Sequence, residues 1–282
     1  MNDQTKKQIA DALRAYCERK GSQNKAANSL KGVSAATVSH VLSGDWGLIK
    51  SEMWRSISAQ IGYKPDGWRA VETRDYKLLT GLLADAQENA LVMAITGDAG
   101  TGKTFAMRRY CDSHANAYLL QCAEFWNKKM FLQELLSAMG RDYSGYSIGE
   151  MMYECVSELK KQDSPMLLLD EGDKLSDCVL QFFITLYNQL EGGCAIILCA
   201  TSHLCKRLKR GVKLNKRGYN EIFSRVGRKC IELKGLGASD VAAVCRANGV
   251  EDGELIREVV EDCEGDMRRV RRKIHALTSA KY

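Results

Sequence analysis

Proline is nearly missing: Pro65 and Pro165 are the only two among 282 residues. Each stands just before a change of pattern, and Pro65 marks the clearest domain boundary. Eleven cysteines form no C-x-x-C pair. The odd count and the missing pairs exclude a zinc-ribbon pattern and argue against a disulfide framework. Cys122, Cys178, Cys194 and Cys199 fall inside predicted strands or helices, so they read as buried reduced thiols. No apolar run approaches the ~20 residues needed to span a bilayer, and the polar N-terminus does not read as a signal peptide. Internal repeats and low-complexity tracts are also lacking. A reduced, cytoplasmic setting with no membrane partner is expected.

Hydrophobic and charged fractions, 45% and 27%, are ordinary for a globular protein, and the length suits one sizeable domain plus a smaller one. The net charge of +6 is unevenly spread. Residues 1–66 carry ten bases and six acids, residues 206–234 eleven and two, and residues 267–282 six and none. Ordinary surfaces intersperse the two signs, so this segregation points to a polyanionic partner.

Residues 97–104 read Gly97-Asp98-Ala99-Gly100-Thr101-Gly102-Lys103-Thr104, matching G-x-x-x-x-G-K-[ST]. The apolar run Leu91–Ile95 precedes the motif, and a helical pattern opening with Lys103, Thr104 and Phe105 follows it. In that setting backbone N–H groups can wrap a polyphosphate, Lys103 can reach the β- and γ-phosphates, and Thr104 can ligate Mg²⁺. A second run, Met166–Leu169, ends in Asp170-Glu171. All-apolar runs of this length suit a strand buried on both faces. Asp170 can hold the Mg²⁺ ion through water, and Glu171 can polarise the attacking water. ATP and Mg²⁺ are therefore the expected cofactors.

Before residue 67 the pattern is all helix. A stripe of Ile9, Ala12, Leu13 and Tyr16 marks a first helix over 4–19, and Gly21 ends it. Ser22 can cap a short helix over 23–30, and Ser34 a third over 35–42; a fourth follows over 51–61. Two short helices joined by a glycine-containing turn suit a helix-turn-helix. The wording Gly32-Val33-Ser34-Ala35-Ala36-Thr37-Val38-Ser39-His40 resembles the recognition helix of lambda-repressor-like DNA-binding domains. That resemblance turns Ser34, Ala35, Thr37, Ser39 and His40 toward DNA and Val38, Val41 and Leu42 inward.

From residue 91 strand-like runs fall at 91–96, 117–122, 166–170, 194–200 and 230–233. Helical patterns near 103–113, 128–139, 148–161 and 176–191 separate the first four. This is a βαβ series and hence a parallel α/β sheet. The order of phosphate loop, Asp-Glu strand, Ala200-Thr201-Ser202, Ser224-Arg225 and Gly265-Asp266-Met267-Arg268 resembles the AAA+ ATPases over about residues 70–282. The resemblance implies a strand order of 5-1-4-3-2 and a small helical lid. It makes Thr201 a polar sensor that orients the attacking water and Arg225 an arginine finger acting on a neighbouring subunit. Arg207, Arg210 and Arg217 are nearby alternatives for the finger. Arg268 takes the second-sensor place on the lid, although in a run of five bases it fits a DNA contact equally. A finger working in trans implies a homo-oligomer that assembles with ATP. The expected domains are a helix-turn-helix at 1–66, an ATPase core at 67–234 with a linker at 67–75, and a lid at 235–282.

This domain order is similar to that of the target-DNA-selecting ATPases of Mu-type transposition, the phage Mu B group. In that group ATP-bound subunits form filaments on double-stranded DNA and recruit a transposase. DNA contacts follow the second strand, where this chain has Asn127, Lys128 and Lys129 at the head of a helix. The expected function is an ATPase that binds DNA with little sequence preference and delivers it to a transposase. A helicase loader or replication initiator, and an ATP-dependent switch with no DNA role, are the alternatives.

Overall fold

A computed structural model describes residues 3–63 and 68–279. Pro65, the 66/67 boundary, the first residue of the 67–75 linker and the last residues of the lid range lie outside them. The chain divides into two compact units. One is built from the N-terminal helices with Lys129–Cys155, the other from Trp68–Lys128 and from Val156 onward.

In the second unit five parallel strands form one sheet: β1 (Val92–Thr96), β2 (Ala117–Gln121), β3 (Met166–Asp170), β4 (Ala195–Ala200) and β5 (Cys230–Glu232). Their order is β2-β3-β4-β1-β5, the one the family resemblance implies. Burial follows from that order. The central strands β3 and β4 are buried at every position, whereas the edge strands β2 and β5 are buried only in part. With helices covering both faces, the middle strands of a parallel sheet meet no water, so their sequences lose the apolar–polar alternation.

Strand β4 lies between β1 and β3, with Val92 opposite Ile196 and Leu168 opposite Ile197. The chain leaving β1 therefore skips two places to reach β2. Ligands of open α/β sheets bind at such a switch, beyond the carboxyl ends of the strands. There β1 runs into the phosphate loop, β3 ends in Asp170 and β4 ends beside Thr201. Helices α5 (Arg74–Glu88) and α6 (Lys103–Ser113) cover one face, where Leu79, Leu83, Met107 and Tyr110 pack with Met93, Ile95, Leu168 and Ile197. Next along the chain come α7 (Lys128–Ala138), α8 (Ile148–Lys160) and α9 (Asp177–Leu190). Helices α10 (Ser202–Lys213) and α11 (Tyr219–Arg225) lie between β4 and β5. The lid helices α12 (Ala238–Ala247), α13 (Gly253–Asp262) and α14 (Met267–Ser279) share a core of Val241, Val244, Ile256, Val259, Val270 and Ile274.

The first unit holds α1 (Asp3–Lys20), α2 (Gln23–Asn28), α3 (Ala35–Ser43) and α4 (Ser51–Gln60) around Leu13, Val38, Val41, Trp54 and Ile57. Ser22 and Ser34 accept the backbone N–H of Lys25 and Thr37, each at 3.1 Å, which caps α2 and α3. Within this unit Lys20 Nζ donates to the Ala138 carbonyl at 2.7 Å, and Lys31 pairs with Glu134 at 2.6 Å.

Two sequence readings change. Helices α5, α10 and α11 were not among the expected elements; the bases of 206–234 sit largely on α10 and the segment after it. All eleven cysteines are free thiols, but Cys178 is exposed. It sits in the first turn of α9, where Ser176, Asp177 and Cys178 face out and Val179 and Leu180 turn inward.

Candidate nucleotide-binding site

The loop between β1 and α6 turns on two glycines in the left-handed region, Gly100 at φ 82° and Gly102 at φ 89°. Gly102 is the residue before the first helical turn, so unbonded N–H groups of α6 face the loop's concavity. The lid closes on the other side. Met267 N donates to the Gly100 carbonyl at 2.9 Å, and a Cβ at Gly100 would overlap the Asp266 carboxylate. Gly97 N donates to the Ala200 carbonyl at 3.2 Å, which ties the loop to the tip of β4.

Lys103 folds back into the loop. Its ammonium donates to the Gly97 and Asp98 carbonyls, both at 2.7 Å, and to Thr101 Oγ1 at 3.3 Å. Thr104 Oγ1 donates to Asp170 Oδ2 at 2.5 Å. Asp170 is 1% exposed, and its other oxygen accepts the Glu171 N–H at 2.9 Å. Burial pushes the Asp170 carboxyl above the usual carboxylate range, opposed by the Thr104 hydrogen bond. A buried carboxylate beside a hydroxyl supplies oxygen donors of the kind a hard divalent cation takes. Ala99 and Phe105 are exposed, and Phe105 lies 6.3 Å from the Tyr76 ring.

Glu171 follows at φ 54°, a left-handed conformation unusual for a side chain of this kind. Its Oε2 accepts from Lys174 Nζ at 2.8 Å, and that bond is the main cause holding the Lys174 ammonium above its ordinary value. Thr201 Oγ1 donates to Asp173 Oδ2 at 2.6 Å. Lys103, Thr104, Asp170, Glu171 and Thr201 thus gather at the carboxyl ends of β1, β3 and β4. Arg225 engages α9 instead: it donates to Asn188 Oδ1 at 2.8 Å and lies 4.9 Å from the Tyr187 ring centre. Among the alternatives, Arg207 is consumed internally. It donates to the Asp173 and Leu175 carbonyls, the Tyr219 hydroxyl and Asp177. Arg210 and Arg217 are exposed. Arg268 is exposed at the head of α14, its N–H held by Asp266 at 2.7 Å.

On α3, Ala35 and Ser39 are exposed. Ser34 and Thr37 bond to each other at 2.9 Å, and His40 lies 3.1 Å from Asp45. Val38 and Val41 are buried and Leu42 packs against the same core. At the head of α7, Asn127 and Lys129 are exposed, and the Lys128 ammonium lies 5.5 Å from the Phe182 ring centre.

The sequence reading missed four contacts at this site: Asp173 to Thr201, Lys174 to Glu171, Asp266 to Gly100, and Asp75, whose Oδ2 accepts Gly235 N at 2.6 Å. The run Asp170-Glu171-Gly172-Asp173-Lys174 puts these charges close in sequence without specifying the turn at Glu171 that makes the first two contacts.

These features define a phosphate-loop domain of the AAA type. Residues 86–208 match the family model described as AAA domain. The DNA transposition protein B of the Mu-like prophage FluMu of Haemophilus influenzae is 24% identical over 210 residues, 68% of this chain and 65% of that protein. The alignment therefore spans just under two thirds of that relative's length. In fold, the chain resembles Cdc6p from Pyrobaculum aerophilum at a TM-score of 0.54 and 17% identity, over 77% of this chain and 65% of that one.

Proposed function

We propose that this protein is an ATP-dependent, largely sequence-independent DNA-binding ATPase that assembles on double-stranded DNA as a ring or helical filament and delivers it to a transposase. The observation that carries the reading is Thr104 bonded to buried Asp170 at the mouth of a phosphate loop. The relation to a transposition protein B supports the wider role.

The residues present fit ATP with Mg²⁺. Two left-handed glycines leave room for close backbone approach, and a buried carboxylate with a hydroxyl offers oxygen ligands to the ion. ATP supplies the phosphoryl bond that is broken. Gly97 to Phe105 would hold it, with Lys103 exchanging its carbonyl contacts for phosphate oxygens and Thr104 and Asp170 holding Mg²⁺. Glu171 would polarise the attacking water and Thr201 would orient it. Arg225 would act on a neighbour's site and Arg268 on its own. Ser34, Ala35, Thr37, Ser39 and His40 on α3, and Asn127, Lys128 and Lys129 at the head of α7, are the proposed DNA contacts.

Negative-stain electron microscopy with random-sequence duplex DNA tests the reading under ATP, ADP and no nucleotide. Filaments or stacked rings on DNA with ATP alone are expected. Discrete particles indifferent to random DNA would refute it and favour a site-specific initiator or a switch.

A further inference from the structure

Two helices carry dense positive charge, and the fold treats them differently. On α14, Arg269 pairs with Asp262 and Glu264, Lys273 pairs with Glu258 and Asp262, and Arg271 lies 5.4 Å from the Trp68 ring centre. Much of that charge is answered inside the lid. On α10, Lys206, Lys209, Arg210 and Lys213 are all exposed, and none makes an ion pair among the described residues.

These four stand at i, i+3, i+4 and i+7, so they share one face of α10 over about 10 Å of helix axis. The opposite face is buried through Leu204, Leu208 and Gly211, with the Tyr219 ring packed on Gly211. The stripe continues past the helix in exposed Lys216 and Arg217. Lys206 and Arg210, like Lys209 and Lys213, are like-charge neighbours one turn apart, an arrangement that destabilises a helix on its own. Only two acids, Glu221 and Glu232, occur from 206 to 234, and Asp177, outside that range, pairs with Arg207 and feels the charge of Lys216, leaving the four bases on the face of α10 without an ion pair among the described residues.

We propose that the exposed face of α10, extended by Lys216 and Arg217, lies against the phosphate backbone of duplex DNA. This deepens the function proposed above and rests on it. Duplex DNA presents about one negative charge per 1.7 Å of axis, so a rigid stripe of this length meets several phosphates at once. The contact carries no base-reading geometry; it positions the duplex and releases counterions.

The face is also anchored to the hydrolysis site. Thr201, the cap of α10, bonds Asp173, and Arg207 on its first turns holds the Asp173 and Leu175 carbonyls just beyond Glu171. A duplex seated on α10 therefore bears on a helix fastened to the loop that presents Glu171.

The test uses the full chain with ATP and Mg²⁺, a fluorescent random-sequence 30-base-pair duplex, and anisotropy across a salt series. The variant K206A/K209A/K213A leaves Arg210 in place because that residue is an alternative arginine finger; thermal midpoint and ATP affinity report on its fold and loop. Each phosphate contact contributes about 0.9 to the slope of log affinity against log salt, so the slope should fall by about 2.7. The arginine triple K206R/K209R/K213R should bind like the wild type. Three results would overturn the proposal. A triple alanine variant with wild-type affinity and slope would remove α10 from the interface while leaving the DNA-binding function intact. A wild type that ignores duplex DNA would end both. A loss confined to anionic phosphatidylserine vesicles, with DNA binding unchanged, would reassign the face to a lipid surface.

Discussion

Replacing Lys174 with Met should speed DNA-independent ATP hydrolysis. Glu171 can polarise water only with a carboxylate free to accept its proton, and in this structure Oε2 is held by the Lys174 ammonium at 2.8 Å. The partners are 40% and 38% exposed, so the pair sits in largely aqueous surroundings. Exposed pairs of this kind are worth about 0.2–1 kcal/mol. If that bond has to open before hydrolysis, its removal raises the rate by the same free energy, about 1.4-fold to 5-fold. The gain should fall on kcat, leaving the KM for ATP unchanged, because Lys174 touches Glu171 and not the phosphate loop. Steady-state phosphate release at saturating ATP, without DNA, measures it. The control Lys174→Arg keeps the charge and should turn over like the wild type. High salt should narrow the difference between Lys174→Met and the wild type by screening the pair. A Lys174→Met protein that binds ATP normally yet hydrolyses it no faster, or more slowly, would refute the reasoning.

Asp170→Asn should raise the thermal midpoint in the absence of Mg²⁺ at neutral pH, by about 2–4 °C per kcal/mol relieved. Burial lifts the Asp170 carboxyl, so its folded form keeps a proton to higher pH than the unfolded chain. Stability is therefore full below the ordinary carboxylate value and falls as pH rises through the folded one, a loss the amide escapes. Differential scanning fluorimetry should show that gain together with loss of the extra stabilisation by Mg²⁺-ATP, and a lower midpoint without Mg²⁺ would contradict it. Arg225→Ala should cut DNA-stimulated hydrolysis by about 10³-fold or more while sparing ATP binding. Mixing it with Lys103→Ala subunits should restore activity if the arginine works on a neighbour, and absence of rescue counts against that. Gly100→Ala demands φ 82° of an alanine and drives its Cβ into Asp266. The left-handed cost of about 1–2 kcal/mol should lower the midpoint by roughly 2–8 °C, with weaker ATP affinity measured by titration.

The central strands β3 and β4 were legible because their burial is so complete. Met166–Leu169 and Ala195–Ala200 have no polar side chain among them, a pattern that a central parallel strand produces. Strand order was not legible from spacing; it came with the family resemblance and agrees with β2-β3-β4-β1-β5. Helix α10 was hidden by its own charge, since four bases on one face look like a polyanion signal before they look like a helix. Lys103, Thr104 and Asp170 could be picked out because the motif fixes residue types at fixed offsets. Asp173 and Lys174 could not, since their roles depend on the turn at Glu171, where φ 54° carries the chain back so that position 174 meets position 171. Nothing in the run of charges specifies that turn.

The same turn joins the two features the sequence kept apart. Asp173 accepts the Thr201 hydroxyl through its side chain and an Arg207 N–H through its carbonyl, so one residue fastens both the cap and the first turns of α10. Arg207 also meets Asp177 and Tyr219, and hydrogen bonds donated by Tyr219, the larger cause, and by Arg207 hold the Asp177 carboxyl below its usual range. The brace therefore links β4, α9, α10 and α11 at a point three residues beyond Asp170. Well-packed interiors pass displacement on instead of absorbing it. A load on the outer face of α10 would then reach Asp173 through Thr201 and Arg207, and the phosphate loop through the Gly97 N–H bond to the Ala200 carbonyl beside Thr201. If DNA seats on α10 as proposed, its load would fall on the segments that position Glu171 and Thr201, and so on turnover.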